Sequence, residues 1–246
     1  MEKLSIERHA PVYWESCLDS TSSQLALMKE TVSGTVLVAD RQSGGRGRQG
    51  RSFISPEGGI YLSMLLKPKC DGGRCTELTP LAAIAVHRTL KKSTGLSAGI
   101  KWPNDLLLDG KKFCGILTEL SFDDDGDPRV ILGIGVNLNS EIPSELEAIA
   151  CSVFEHRRRM TNKEAFLQQL IFELDECYAT WEKEGCFFLE EYRELNLCLG
   201  REILIISAGE SRKAIARDIN PDMSLAVEYE DGQKENLYYG EISLRL

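Results

Sequence analysis

GGRGRQGR, residues 44 to 51, lies between two apolar runs and contains the pattern G-x-G-x-x-G at Gly45, Gly47 and Gly50. Read as a dinucleotide fingerprint, it would make the chain a doubly wound parallel sheet. The third glycine would open a helix, and an acid about 20 residues on would hold a ribose. The neighbouring residues refuse both roles. RSFISPEGG, residues 51 to 59, breaks a helix, and the candidate acid, Asp71, lies in the turn KCDGG and not at a strand end. No G-K-[ST] follows the glycines, so a phosphate-binding P-loop is excluded as well.

What remains is a local charge anomaly. Arg41, Arg46, Arg48 and Arg51 fall within eleven residues that contain no acid, inside a chain of 29 basic and 38 acidic side chains. Glycine lets the backbone approach a ligand closely, and guanidinium forks match carboxylate and phosphate oxygens, so the loop reads as a wrap around a small anionic molecule. An RNA-binding Gly/Arg segment is the rival, but such segments are repeated, and this one is a single copy between two strands. With no acid beside them in sequence, the arginines are expected to leave residues 43 to 51 loosely held until a ligand anion arrives.

Around this loop the periodicities organise the chain. TVLVAD (35 to 40) and GIYLSMLL (59 to 66) predict the flanking strands, and the capping pattern Thr21-Ser22-Ser23-Gln24 predicts a helix starting near Ser20 or Thr21. A second helix is expected over about 77 to 93, with Pro80 in its first turn. AGIKW, a Pro-Asn-Asp break, LLL, the turn Asp109-Gly110 and KKFCGILTEL together predict a hairpin. RVILGIGVNL predicts another strand after the acidic turn DDDGDP, which lacks the ligand spacing of a calcium loop. Helical signals fill 161 to 195, and only short strands follow Gly200, which suits a small barrel. The switch near residue 195 divides the chain into units 1–196 and 197–246.

Two further stretches carry chemistry. KWPNDLLLDGKKFCGILTEL (101 to 120) gathers Lys101, Asn104 and Asp105 at a bend stiffened by Pro103. Lys112 heads the apolar run Phe113 to Leu117, where its ammonium is partly desolvated and fixed in direction. In GIGVNLN (133 to 139), Asn137 follows an apolar run; taken alone, such an asparagine reads as structural.

Composition excludes several classes. A 246-residue chain that is 42% apolar buries one large core and a small satellite. The net charge of −9 argues against coating nucleic acid or an anionic membrane. No run approaches the roughly 18 apolar residues of a membrane span, and MEKLSIERHAPVYW is not a signal peptide, so a cytoplasmic protein is expected. The eight cysteines are scattered, none forms C-x-x-C, and only His9, His87 and His156 could join them. Free thiols are expected, with neither a zinc site nor a Cys-His nucleophile.

Together DSTSSQ (19 to 24), QSGGRGRQGR (42 to 51), LSMLLKP, KWPNDL (101 to 106), KKFCGILTEL (111 to 120), GIGVNLN (133 to 139) and GEISLR (240 to 245) resemble the biotin-protein ligases, also called biotin-[acetyl-CoA-carboxylase] ligases. The resemblance runs in order along nearly the whole chain. It implies an α+β fold: a catalytic domain with a mixed sheet, similar to class II aminoacyl-tRNA synthetases, then a small C-terminal SH3-like β-barrel. It also implies two chemical steps. Biotin and MgATP give biotinyl-5'-AMP and pyrophosphate, and a lysine of a biotin carboxyl carrier domain then displaces AMP.

The same resemblance assigns residues to roles. Lys112 and Arg48 are the catalytic pair. Ser20, Thr21, Ser22 and Gln42 face biotin, together with Gly45, Arg46 and Gly47 of the wrapping loop, Arg48, Lys112 and Gly115. ATP and the adenylate are met by Arg48, Arg51, Phe53, Lys101, Asn104, Asp105, Lys112, Asn137 and Arg245, with magnesium near Asp105. Gln49 stands where many members carry a base. Fewer than 20 residues precede Ser20, so the expectation is a ligase without the DNA-binding domain of repressor relatives, touching neither DNA nor membrane. Whether it forms a homodimer stays open. The alternatives are a lipoate or octanoate ligase and a non-catalytic ligand-sensing or nucleic-acid module.

Overall fold

The structure is a computed structural model that describes every residue except Glu30, Ala208, Gly209, Tyr239, Arg245 and Leu246. Its first part runs β1 (Glu2–Leu4), β2 (Val12–Leu18), α1 (Thr21–Leu27), β3 (Val36–Gln42), β4 (Ile60–Leu66), α2 (Leu78–Thr94), β5 (Gly99–Lys101), β6 (Asp105–Leu108), β7 (Lys111–Phe122) and β8 (Pro128–Val136), then α3 (Val153–Arg157), α4 (Lys163–Glu184) and α5 (Leu189–Leu195). The eight strands form one sheet in the order β1-β2-β3-β4-β8-β7-β6-β5. Only the β2–β3 pair is parallel, so the sheet is mixed, as expected.

Local chemistry sets the boundaries. Ser20 caps α1, its hydroxyl accepting from the Ser23 amide at 3.4 Å. α2 ends at Gly95, whose φ of +77° is the left-handed conformation that glycine adopts without strain. In the turn between β7 and β8, the Asp123 carboxylate accepts the amides of Asp125 and Asp127, so DDDGDP is a solvated turn. Three elements escaped the periodicity reading. β1 spans three residues, β2 turns polar and half-exposed after Trp14, and α3 is one short turn marked only by the Ser152–Glu155 capping box.

The two faces of the sheet differ. Even-numbered residues of β4, β7 and β8, such as Leu62, Met64, Ile116, Leu132 and Ile134, join the main core, which also contains the buried residues of α2 and α4. Odd-numbered positions point the other way, where α1 sets Leu25 against Leu37, Leu65 and Ile131. The chain then forms an antiparallel sheet from β9 (Glu202–Ser207), β10 (Glu210–Ile219), β11 (Leu225–Tyr229), β12 (Lys234–Leu237) and β13 (Glu241–Leu244). Trp102 joins the two parts: its indole is buried and donates to the Met223 carbonyl at 3.2 Å. Arg193 of α5 donates to the Ile219 carbonyl at 3.0 Å across the same contact.

Candidate active site

The odd-numbered face is hollowed out by missing side chains. Gly115 on β7 and Gly133 and Gly135 on β8 are adjacent there, since Gly115 pairs with Gly135 and Leu117 with Gly133. A Cβ on Gly133 would stand 2.8 Å from Ser22 Oγ, and one on Gly135 would stand 2.5 Å from the Phe53 ring. These glycines leave a trench that the start of α1 and the Gly/Arg loop cover. Ser63 lies on the same face and ties the cover down: its hydroxyl is 2.8 Å from Thr21 Oγ1 and 2.9 Å from Ser22 Oγ.

The Gly/Arg loop is laced by hydrogen bonds at its base and along its two sides. At its base the Gln42 side chain accepts the Thr21 amide at 2.8 Å and donates to Ser55 Oγ at 2.9 Å. Further out the amides of Phe53 and Gly47 donate to the carbonyls of Gly45 and Arg51. At Gly45 a Cβ would come within 2.3 Å of the Phe53 carbonyl oxygen, so only glycine lets the two strands of the loop cross. The acid missing from the local sequence arrives from β7: Arg46 pairs with Glu119 at 2.6 Å.

Two cavities result. The first, about 50 Å³, lies between α1, the loop and the glycine floor. The second, about 140 Å³, opens toward the C-terminal sheet at Gly240 and Ile242. Both share Gly47, Arg48, Phe53, Asn104 and Lys112 as a common wall. Lys112 reaches it because the β6–β7 register slips between Leu106 and Leu107. Its backbone is held by the Ile149 carbonyl and the Cys151 amide, its Nζ lies 2.7 Å from Asp105 Oδ1, and the ammonium sits 5.8 Å from the centre of the Phe53 ring. Arg48 donates to Asn104 Oδ1 at 3.1 Å across the same wall. Among the described residues, four cations, Arg48, Arg51, Lys101 and Lys112, line the second cavity against one acid, Asp105. Such a site attracts an anion.

The resemblance-based assignments can be placed one by one. Ser20, Thr21, Ser22, Gln42, Arg46, Gly47, Arg48, Lys112 and Gly115 line the first cavity; Gly45 does not, and works inside the loop. Arg48, Arg51, Phe53, Lys101, Asn104, Asp105 and Lys112 line the second. Asn137 reaches neither cavity. It is buried, and its amide donates to the Cys151 carbonyl, bracing the segment that bonds the Lys112 backbone. Arg245 lies outside the described residues. The sequence reading missed Ser63, Gly133, Gly135 and Glu119. The spacing of Gly133 and Gly135 was a usable signal, because two glycines two apart in a strand bare one face.

Among the described residues no group of three or more His, Cys, Asp or Glu side chains is placed to hold a metal, and no helix is long and apolar enough to cross a membrane. All eight cysteines are free thiols. Burial pushes Cys151 and Cys177 up to about 11 and drives Cys114, two residues along β7 from Lys112, higher still. None of these three is a thiolate nucleophile near neutral pH.

Residues 14–137 match the model of the biotin/lipoate A/B protein ligase family. The bifunctional ligase/repressor BirA of Bacillus subtilis is 36% identical over 174 residues, covering 69% of this chain and 53% of that protein, so the match spans about half the relative's length. The biotin--[acetyl-CoA-carboxylase] ligase of Mycobacterium tuberculosis is 28% identical over 203 residues, 80% of this chain and 74% of the relative. The biotin protein ligase of Aquifex aeolicus in complex with biotin and ATP superposes with a TM-score of 0.83 at 31% identity, covering 95% of this chain and 98% of that one. The chain belongs to the biotin/lipoate A/B protein ligase family.

Proposed function

We propose that this chain is an ATP-dependent biotin-protein ligase acting in the cytoplasm. The observation that carries the reading is the pair of cavities on one sheet face with Lys112, Arg48, Asn104 and Phe53 as their common wall. Joining a carboxylate to a phosphate brings two anions together, and fixed cations at the meeting point stabilise the charge that develops there. In this reading the first cavity takes biotin and the second takes ATP. The biotin carboxylate oxygen attacks the α-phosphorus, pyrophosphate leaves, and biotinyl-5'-AMP spans the wall. The amine of an acceptor lysine on a biotin carboxyl carrier domain then attacks the carbonyl carbon, and AMP departs.

Residue roles follow from position. Lys112 exchanges Asp105 for the carboxylate and the bridging phosphate oxygen. Arg48 guards the mixed anhydride, and Arg51 and Lys101 meet the phosphates. A magnesium ion bound with ATP would be held at Asp105 and would supply neutralisation of phosphate charge. Asp105, the one acid among the described residues lining the second cavity, suits a metal held by a single carboxylate and substrate phosphates. Asn137 and Gly45 support the site without touching ligand. Residues 1–196 form the catalytic unit and 197–246 a small SH3-like unit that closes the nucleotide side. The two sheets share no strand, and the second cavity reaches β13 at Ile242.

Incubation with biotin, ATP and a biotin carboxyl carrier domain tests the reading, with ATP–pyrophosphate exchange compared for biotin, lipoate and octanoate. Exchange with biotin and a biotinylated carrier are expected. Exchange with lipoate or octanoate alone would assign the lipoate-type reaction, and no exchange with any acid would leave a binding module.

A further inference from the structure

Arg46 does more than line the first cavity. Its guanidinium meets Glu119 through both nitrogens, Nη2 to Oε1 at 2.6 Å and Nη1 to Oε2 at 3.3 Å, and Nη1 also lies 3.4 Å from Ser23 Oγ of α1. One side chain therefore spans loop, helix and sheet at the rim of the cavity. Glu119 is on the bared face because it follows Gly115 and Leu117 at two-residue spacing along β7. Arg48, two residues further along the loop, is tied to Asn104 in the wall where ligand must sit. Beyond it the tip turns through Gln49 and Gly50 at φ +54° and +73°, short of any strand. The base of the loop is fixed by backbone bonds, so its outer half is where closure is decided.

We propose that Glu119 is a positioning residue that acts through Arg46: the ion pair latches the Gly/Arg loop shut over the first cavity and sets how long the acyl-adenylate stays inside. This rests on the ligase reading above. The pair is partly exposed, at 48% for Arg46 and 31% for Glu119, so its effect is that of a surface ion pair, a few-fold in rate and screened by salt.

The test uses the full chain as Glu119→Gln and as the swapped double variant R46E/E119R, with equal melting temperatures checked first. Two rates are read: tryptic cutting after Arg48 and Arg51 in ligand-free protein, and escape of preformed biotinyl-AMP. Glu119→Gln should raise both about threefold and flatten their dependence on salt. The swap should restore the tryptic rate of ligand-free protein to within about 1.5-fold, which a merely structural glutamate would not allow. Unchanged rates in Glu119→Gln overturn the latch, and so does a tryptic acceleration that the swap leaves in place. If wild-type protein forms no adenylate, the ligase reading falls, while the tryptic comparison still judges the latch because it needs no ligand.

Discussion

The two faces of the eight-stranded sheet are built from the same strands and answer to different demands. On one, β8 presents Val130, Leu132, Ile134 and Val136 to the helices, all buried in one core. On the other, the same strand presents Ile131, Gly133 and Gly135, and β7 adds Gly115 and Glu119. The first face maximises contact, and each fully buried aliphatic side chain there contributes about 1.5–3 kcal/mol. The second gives up side chains, so that space, serine hydroxyls and cations occupy the same area. Binding chemistry in this protein is carved from a core-forming sheet by deletion, two residues at a time.

That division can be broken. The largest effect is expected on the packed face: Leu132→Ala leaves a cavity among fully buried neighbours and should cost about 2–5 kcal/mol in denaturant unfolding. The fraction still folded should bind biotin normally. Lys112→Ala comes next, with folding retained and adenylate formation slowed on the order of 100-fold or more; single-turnover synthesis of biotinyl-AMP measures it. A normal rate would remove Lys112 from the chemistry. Gly135→Ala is the mirror of the leucine change. It should keep its melting temperature and lose roughly tenfold in ligand affinity, because its Cβ would enter the space of the Phe53 ring. Calorimetric titration decides it, and unfolding without a binding defect would collapse the contrast between the faces.

Arg48 lines both cavities and a third of about 370 Å³ beside them. Arg48→Gly should still make adenylate but hold it poorly, so labelling of a bystander lysine-rich protein should rise several-fold. The smallest effect concerns the thiols. Cys151 and Cys177 are raised from 9.0 to about 11 in the folded chain, so the native state keeps protons that the unfolded chain has released. The unfolded state then binds fewer protons, and stability should fall as pH rises from 9 to about 11. Melting temperatures across that window check the sign, and Cys177→Ala should flatten part of the slope. Exposed Cys17 should meanwhile react with maleimide near neutral pH.

Much of this was legible in local pattern. The strands flanking the Gly/Arg loop, the helix capped at Ser20, α2 with Pro80 in its first turn and the hairpin through Asp109-Gly110 all follow from periodicity and capping within short windows. The exclusion of a dinucleotide fold was equally local, since RSFISPEGG forms no helix after Gly50. Elements without a repeating signal were lost: β2 is half-exposed along most of its length, and α3 has five residues. Among site residues, Asn137 shows the limit. Its position after an apolar run is visible in sequence, but only the fold reveals that its amide is spent on the Cys151 carbonyl.

The amino-acid sequence by itself determined which groups this protein has to work with: four arginines and four glycines in one loop, a lysine heading an apolar strand, and thiols with no motif to make them reactive. It also determined that the loop joins two strands and opens no helix. Tertiary structure alone decided how those charges are balanced. Glu119 stands 73 residues from Arg46 and Asn104 stands 56 from Arg48, and register brings each pair within hydrogen-bond reach. The acid that the loop's own sequence lacks is therefore supplied by Glu119 across the fold. Charge balance is a property of distances in space, and sheet pairing sets those distances between residues that no local window compares.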